Sequence, residues 1–290
     1  MRSRPSMSAA RVAITVLLSG AAWAYGSPPS AAPPANSGAD ASSLAAWSIH
    51  TPESVDWDAR SSAPTEWHVW IENGRVMVDT ESPAEATVLP FKIEPLPKEH
   101  ETDLAGPQSV FPVDGGYLVG FDAGEFGGGV WWFSADGGRR RKLTLRASDS
   151  IEDYISENVH GFARLGRDVL VLEGLTHLSG NSGRVVRIHR GPDGEWRPSM
   201  FAKLSACPHA VIQESKSSWF LATTLGIWRI DAQGRERPVW QPPGGHLYYP
   251  NSIVRDGSGV VYMGMRNHIV RMTPREKGNY TLEVLDPPTP

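Results

Sequence analysis

The sequence predicts an all-β protein, a five- or six-bladed β-propeller of four-stranded antiparallel sheets. Three observations lead there. After residue 64, no window of about a dozen residues keeps an apolar i, i+3, i+4 stripe without Gly or Pro, so amphipathic helices are missing. Short apolar runs alternate with turn dipeptides instead. A phrase of such runs also recurs, and its clearest copy, PNSIVRDGSGVVYMG, starts at Pro250.

In chain order, residues 1–24 read as a secretory signal peptide. Arg2, Arg4 and Arg11 form a basic start. Residues 12–18 are apolar but too short to span a bilayer, and Ala22-Trp23-Ala24 is an A-x-A-like cleavage site. Residues 25–43, rich in Pro, Ala, Ser and Gly, read as a flexible tether. Residues 44–290 form the propeller domain. No later stretch is long and apolar enough for a transmembrane helix, so the mature chain is expected in the periplasm or secreted.

The formal charge of −4 becomes about −7 once Arg2, Arg4 and Arg11 leave with the signal peptide. That balance argues against nucleic acid or an anionic membrane as the main partner. Cys207 is the single cysteine, so no intrachain disulfide forms, and its expected role is that of a small buried residue.

Strands are expected at 68–71, 76–79, 86–93, 117–121, 130–134, 169–172, 184–188, 219–223, 227–230, 260–263 and 269–272. Turn signals such as Asn73-Gly74, Asp136-Gly137, Asp193-Gly194 and Asp256-Gly257 fall between them. The recurring phrase starts at Thr65, Pro107, Val159, Pro208 and Pro250. The residue after each start is Glu66, Gln108, His160, His209 and Asn251, at separations of 42, 52, 49 and 42 residues. That period fits four short strands, the size of one blade. Five anchors give five blades, and residues 44–64 either complete a sixth or supply a closing strand. A single such sheet cannot hide both faces, but sheets packed around an axis bury them. Most of the 11 tryptophans, Trp131, Trp132, Trp219 and Trp228 among them, are expected to fill the wedges between blades.

In this architecture the residue entering each innermost strand sits at one mouth of the central channel. Glu66, Gln108, His160, His209 and Asn251 are therefore expected to form a ring there. Two His, one Glu and an Asn oxygen (Glu66, His160, His209, Asn251) suit a divalent metal ion. An organic ligand, or simply water, suits the same polar ring. Loops between second and third strands reach the same face. They carry Asp122 and Glu125, Glu173 and His177, Thr223 and Thr224, and Arg266, Asn267 and His268 as candidate ligand contacts.

Pro250-Asn251-Ser252, followed by Asp256-Gly257 and Tyr262, resembles the P-N-G phrase of gluconolactonase/regucalcin-like and NHL-like propellers. The resemblance implies a divalent metal held by Asn251 and an early Glu, here Glu66, with an Asp as further ligand and proton acceptor. No equivalent Asp is present, and His160, His209 and Gln108 occupy the sister positions. No G-x-S-x-G, H-E-x-x-H, Walker A or helix-opening G-x-G-x-x-G occurs. The expected function is capture of a small molecule or protein partner at the channel mouth and loop face, without catalysis. The alternative is a metal-dependent lactonase-type hydrolase with Glu66, His160, His209 and Asn251 as ligands and a nearby carboxylate such as Glu173 as base.

Overall fold

A computed structural model describes residues 39–40, 43–61, 64–82, 87–96, 102–145, 157–178, 180–246 and 249–288. All of them fall in the unit Gly38–Pro290. The expected signal peptide, and residues 25–38 of the expected tether, lie outside the described residues.

The turn chemistry sets the hairpins. Asn73 and Gly74 both take positive φ, 50° and 76°, and join β3 (His68–Glu72) to β4 (Arg75–Asp79) through a two-residue turn. Elsewhere an Asp side chain caps the turn from within. Asp136 Oδ1 accepts from Gly138 N–H at 3.0 Å, and Asp256 Oδ1 accepts from Ser258 and Val260 N–H, both at 2.9 Å.

The hairpins assemble into five antiparallel sheets. Blade one orders β1 (Ala39–Asp40), β4 and β3; β1 lies within the stretch read as tether. Blade two is β5 (Gln108–Val113), β6 (Gly116–Asp122), β7 (Gly128–Ser134) and β8 (Arg140–Lys142). Blade three is β9 (Val159–Leu165), β10 (Asp168–His177), β11 (Gly180–Arg190) and β12 (Trp196–Leu204). Blade four is β13 (Pro208–Ser215), β14 (Ser218–Thr223), β15 (Gly226–Asp231) and β16 (Glu236–Trp240). Blade five is β17 (Ser252–Arg255), β18 (Val261–Gly264), β19 (Ile269–Pro274) and β20 (Tyr280–Asp286), with β2 (Ser48–His50) added outside β20. First strands touch in succession: β5 meets β9, β9 meets β13, β13 meets β17, and β17 meets β3.

The protein is a β-propeller. Among the described residues it has five blades, and Ser48–His50, part of 44–64, form strand β2 on the outside of the last blade rather than a sixth blade.

Alternating strand residues bury both faces of each inner sheet. Val169, Val171, Val186 and Ile188 of blade three pack with Leu118 and Val130 of blade two. Leu170, Leu172 and Val185, on the opposite face, pack with Trp219, Leu221 and Ile230 of blade four. Phe220 and Ile227 then meet Val261, Met263 and Met272 of blade five, and Ile269 and Leu285 meet Val69, Val76 and Val78 of blade one. Trp131 and Trp219 are buried; Trp132 and Trp228 are half-buried and pack against these clusters. The free face of blade two, Val119, Phe121, Trp131 and Phe133, is covered instead by Leu89, Phe91, Ile93 and Leu96. The strand expected at 86–93 does not form over 87–93; residue 86 is outside the described set. Pro90 removes a ladder N–H, and the segment serves as an apolar cover instead. Arg140 ties it down by donating to the carbonyls of Glu94 and Pro95. Among the described residues, no helix is long and apolar enough to cross a membrane.

Candidate functional site

The five ring positions share a place in the repeat but not a local geometry. Gln108 pairs regularly with Phe121 and is exposed. In blade three, Val159 faces Glu173 and Gly161 faces Leu172, so His160 is the extra residue of a β-bulge. In blade four, Pro208 faces Thr223 and Ala210 faces Ala222, so His209 is the extra residue in the same place. The two rings stand 5.5 Å apart between centroids.

A hydrogen-bond network supports them. His160 Nδ1 lies 3.4 Å from Asp122 Oδ2, and its Nε2 lies 3.0 Å from the Gly174 carbonyl. A neutral ring donates to only one of these acceptors. Cys207 Sγ sits 3.5 Å from the same Nε2. His209 Nε2 bonds Thr224 Oγ1 at 3.2 Å, and Thr224 Oγ1 bonds Thr176 Oγ1 at 3.0 Å. Asn181 Oδ1 accepts from Cys207 N–H at 2.8 Å and holds the entry of β13. Burial, with His160 beside it, pushes His209 down to about 3, so its ring is neutral at ordinary pH. Burial likewise pushes the Cys207 thiol up to about 12, helped by the Asp122 charge and opposed by a hydrogen bond from Thr176.

The loop after β6 is fixed from behind by Asn158, which is buried. Its Oδ1 accepts from Ala123 N–H at 3.1 Å, and its Nδ2 donates to the Gly124 carbonyl. Glu125 rides on this loop, and Asp122 is the last residue of the strand before it. Glu125 Oε2 meets His177 Nε2 of blade three at 2.9 Å, an exposed contact flanked by exposed Phe126 and Leu178.

The other side of the mouth is built differently. Glu66 forms an isolated bridge with Arg266, and its Oε1 receives Arg266 Nη2 at 2.7 Å. Arg266 also lies over the Tyr249 ring at 3.4 Å. Asn267, at φ 65°, donates its N–H to the Thr65 carbonyl at 2.7 Å, so it works through backbone here. Asn251 N–H donates to the Gly264 carbonyl at 3.0 Å, and its Oδ1 accepts from Ser252 Oγ at 2.8 Å.

The structure brings together Asp122, His160 and His209, and separately Glu125 and His177. Glu173 is not in a loop. It lies inside β10, is buried, and is bound to Arg184 Nε at 2.6 Å. His268 is buried against Trp57, with ring centroids 5.2 Å apart, and burial pushes it down to about 4. Thr223 is buried too and donates to the Gly226 carbonyl at 3.1 Å. Among the described residues, no three His, Cys, Asp or Glu side chains are placed to hold a metal ion. Glu66, His160, His209 and Asn251 do not make a ligand set: Arg266 engages Glu66, and Ser252 takes the Asn251 oxygen. A separate cavity of about 170 Å³ beside Trp57 and His246 is lined by none of the expected site residues. Sequence reasoning missed Cys207, Thr176, Asn181 and Asn158 as parts of the site. The signal available for Asn158 was a polar residue just ahead of the third repeat's first strand.

No protein-family model matches the chain, and no curated protein matches its sequence. Its fold is similar to that of a gluconolactonase from Xanthomonas campestris, at 16% identity and a TM-score of 0.43, covering 86% of this chain and 83% of that one. A streptogramin B lyase is similar at 15% identity and a TM-score of 0.41, covering 62% of this chain and 55% of the lyase. The extracellular domain of a hybrid two-component system from B. thetaiotaomicron is similar at 12% identity and a TM-score of 0.35, covering 63% of this chain and 20% of that one. These are likenesses of fold alone.

Proposed function

We propose that the protein is an exported propeller that captures a small polar ligand at the channel mouth, between blades two, three and four, without chemistry of its own. One observation carries this reading. Two successive blades break their ladders at the same position, each break carries a histidine, and His160, beside Asp122, has the His209 ring as its neighbour. Bulges that re-aim a side chain are costly to keep without a use. The side chains offered are hydrogen-bonding groups rather than nucleophiles. The neutral His209 ring and the hydroxyls of Thr176 and Thr224 give directional contacts on the ends of rigid strands. Against the lactonase-type alternative stand the Arg266 contact on Glu66 and the burial of Glu173 on Arg184.

The exposed Phe126, Leu178 and Tyr249 on the loops of this face favour a second reading, a protein partner seated on the rim.

The test is a thermal-shift panel of sugars, lactones, amino acids and small carboxylic acids. It is run on the wild type and on a His160→Ala/His209→Ala double variant. A compound that raises the melting temperature of the wild type only is the expected result. Compounds that stabilise both proteins equally would sink this location for the site, and turnover of a lactone by the wild type would sink the non-catalytic reading.

A further inference from the structure

Beneath the mouth, the junction of blades two and three holds five charged groups that the proposed ligand site does not use. Glu173 of β10 receives Arg184 of β11 at 2.6 Å, and the two side chains are only 3% and 7% exposed. Arg184 Nη2 also lies 3.9 Å from Glu157, which precedes β9. Glu157 takes Lys142 of β8 at 2.9 Å, and Lys142 reaches Asp103 at 3.0 Å. The charges alternate along the row. Arg184 thus has two carboxylates within reach and is hydrogen-bonded through Nε to one of them.

The row is wired to the mouth through backbone. Residue 173 stands opposite Val159 at the bulge that aims His160. The next residue, Gly174, donates its N–H to the Asn158 carbonyl at 3.1 Å and takes His160 Nε2 on its own carbonyl at 3.0 Å. There is no slack at Gly174: a Cβ there would stand 2.6 Å from the Ser182 carbonyl oxygen and 3.0 Å from Cys207 Sγ. Asn158 in turn holds the 123–127 loop that follows Asp122.

We propose that proton uptake by Glu173 switches the mouth: the ionised carboxylate holds Arg184, the neutral one releases it towards Glu157, and the shift at Gly174 moves His160 and the 123–127 loop. The proton comes from solvent and ends on the Glu173 carboxylate, while Arg184 keeps its charge. The groups facing Glu173 are Arg184, Glu157 and Lys142, with Asp103 behind them and Asp122 and His160 across Gly174. Burial pushes Glu173 up to about 7, against the pull of Arg184, so the two states exchange near neutral pH. As a control on ligand capture, the switch rests on the proposed binding site; as a motion of the loop it does not.

The experiment is amide hydrogen exchange of residues 123–127 in the full chain at pH 6 and pH 8, corrected for intrinsic rates, in the wild type and in Glu173→Gln. A difference in protection of about fivefold or more is expected in the wild type and should vanish in the variant. Equal protection at both pH values, or the same difference in Glu173→Gln, overturns the switch. Should Glu173→Gln fail to fold, isotope-edited infrared spectra of the wild type decide the matter. A buried protonated-carboxyl band must grow between pH 8 and pH 6, and its absence overturns the proposal. A panel compound that binds the wild type while exchange stays flat sinks the switch alone. Exchange that switches while no compound binds sinks the ligand reading alone.

Discussion

The protein contains two Arg–Glu pairs of nearly equal length, one beneath the mouth and one beside it, and they occupy opposite kinds of ground. Arg184–Glu173 spans 2.6 Å with side chains 7% and 3% exposed, while Arg266–Glu66 spans 2.7 Å with side chains 23% and 37% exposed. The first sits within blade three, facing blade two, where solvent cannot replace a lost partner. The second joins the last blade to the first, where water can. The difference teaches that geometry alone does not rank an ion pair. What happens to the remaining charge when one partner leaves does.

Arg184→Ala should therefore have the largest effect. It strands a buried carboxylate at a cost of about 3–5 kcal/mol at pH 8, read from urea unfolding. The loss should shrink at pH 5, where Glu173 can take a proton. Equal losses at both pH values would break the contrast between the two pairs.

Next comes the pH profile. Glu173 sits at about 7 in the folded protein against an ordinary 4.5, so its stabilising share is full below 4.5 and gone above 7. His209 and His268 sit at about 3 and about 4 against 6.5, so their share is full above 6.5 and lost as the pH falls towards those values. Between 4.5 and 6.5 the two histidines outweigh the one carboxyl. Stability should peak near pH 6.5 and drop by roughly 2–3 kcal/mol at pH 4.5. A melting temperature that climbs steadily down to pH 4.5 would contradict this.

Asn158→Ala should cost about 1–3 kcal/mol, because it leaves Ala123 N–H and the Gly124 carbonyl without their partner. Faster exchange should appear in the loop of blade two and not in that of blade five. Arg266→Ala should be mildest, at about 0.5–1 kcal/mol, and should fade in high salt. A cost matching that of Arg184→Ala would erase the distinction between the two sides of the mouth.

Much of the fold was legible because its punctuation is local. Asn73-Gly74 demands positive φ and Asp256-Gly257 builds its own cap, so the hairpins announce themselves. Second and third strands were legible for the same reason. Two-residue β1, three-residue β2 and the polar β8 carry no such pattern; they are strands because a sheet edge lies beside them. The cover at 87–96 looked like a strand by hydrophobicity, and Pro90 was the warning. At the site, the recurring phrase made His160 and His209 sister positions, and both stand at the first-strand bulge of their blades. The phrase could not reveal the bulges, which depend on how each neighbouring strand is registered. Nor could it reveal the burial of Glu173, since a carboxylate ahead of Gly174 reads as a loop until Arg184 is seen across the ladder.

The ring is fastened by early residues laid on late ones. Strand β2 lies along β20, Arg60 grips Asp286, and Leu44 and Trp47 share a cluster with Leu285. Partners this distant in sequence make closure a slow step. A chain emerging from a ribosome or a secretion pore must hold residues 44–61 unmated until the final blade arrives. Through that interval Trp47 and Trp57 lack their final cover, and an escort that shields aromatic side chains would find its target there.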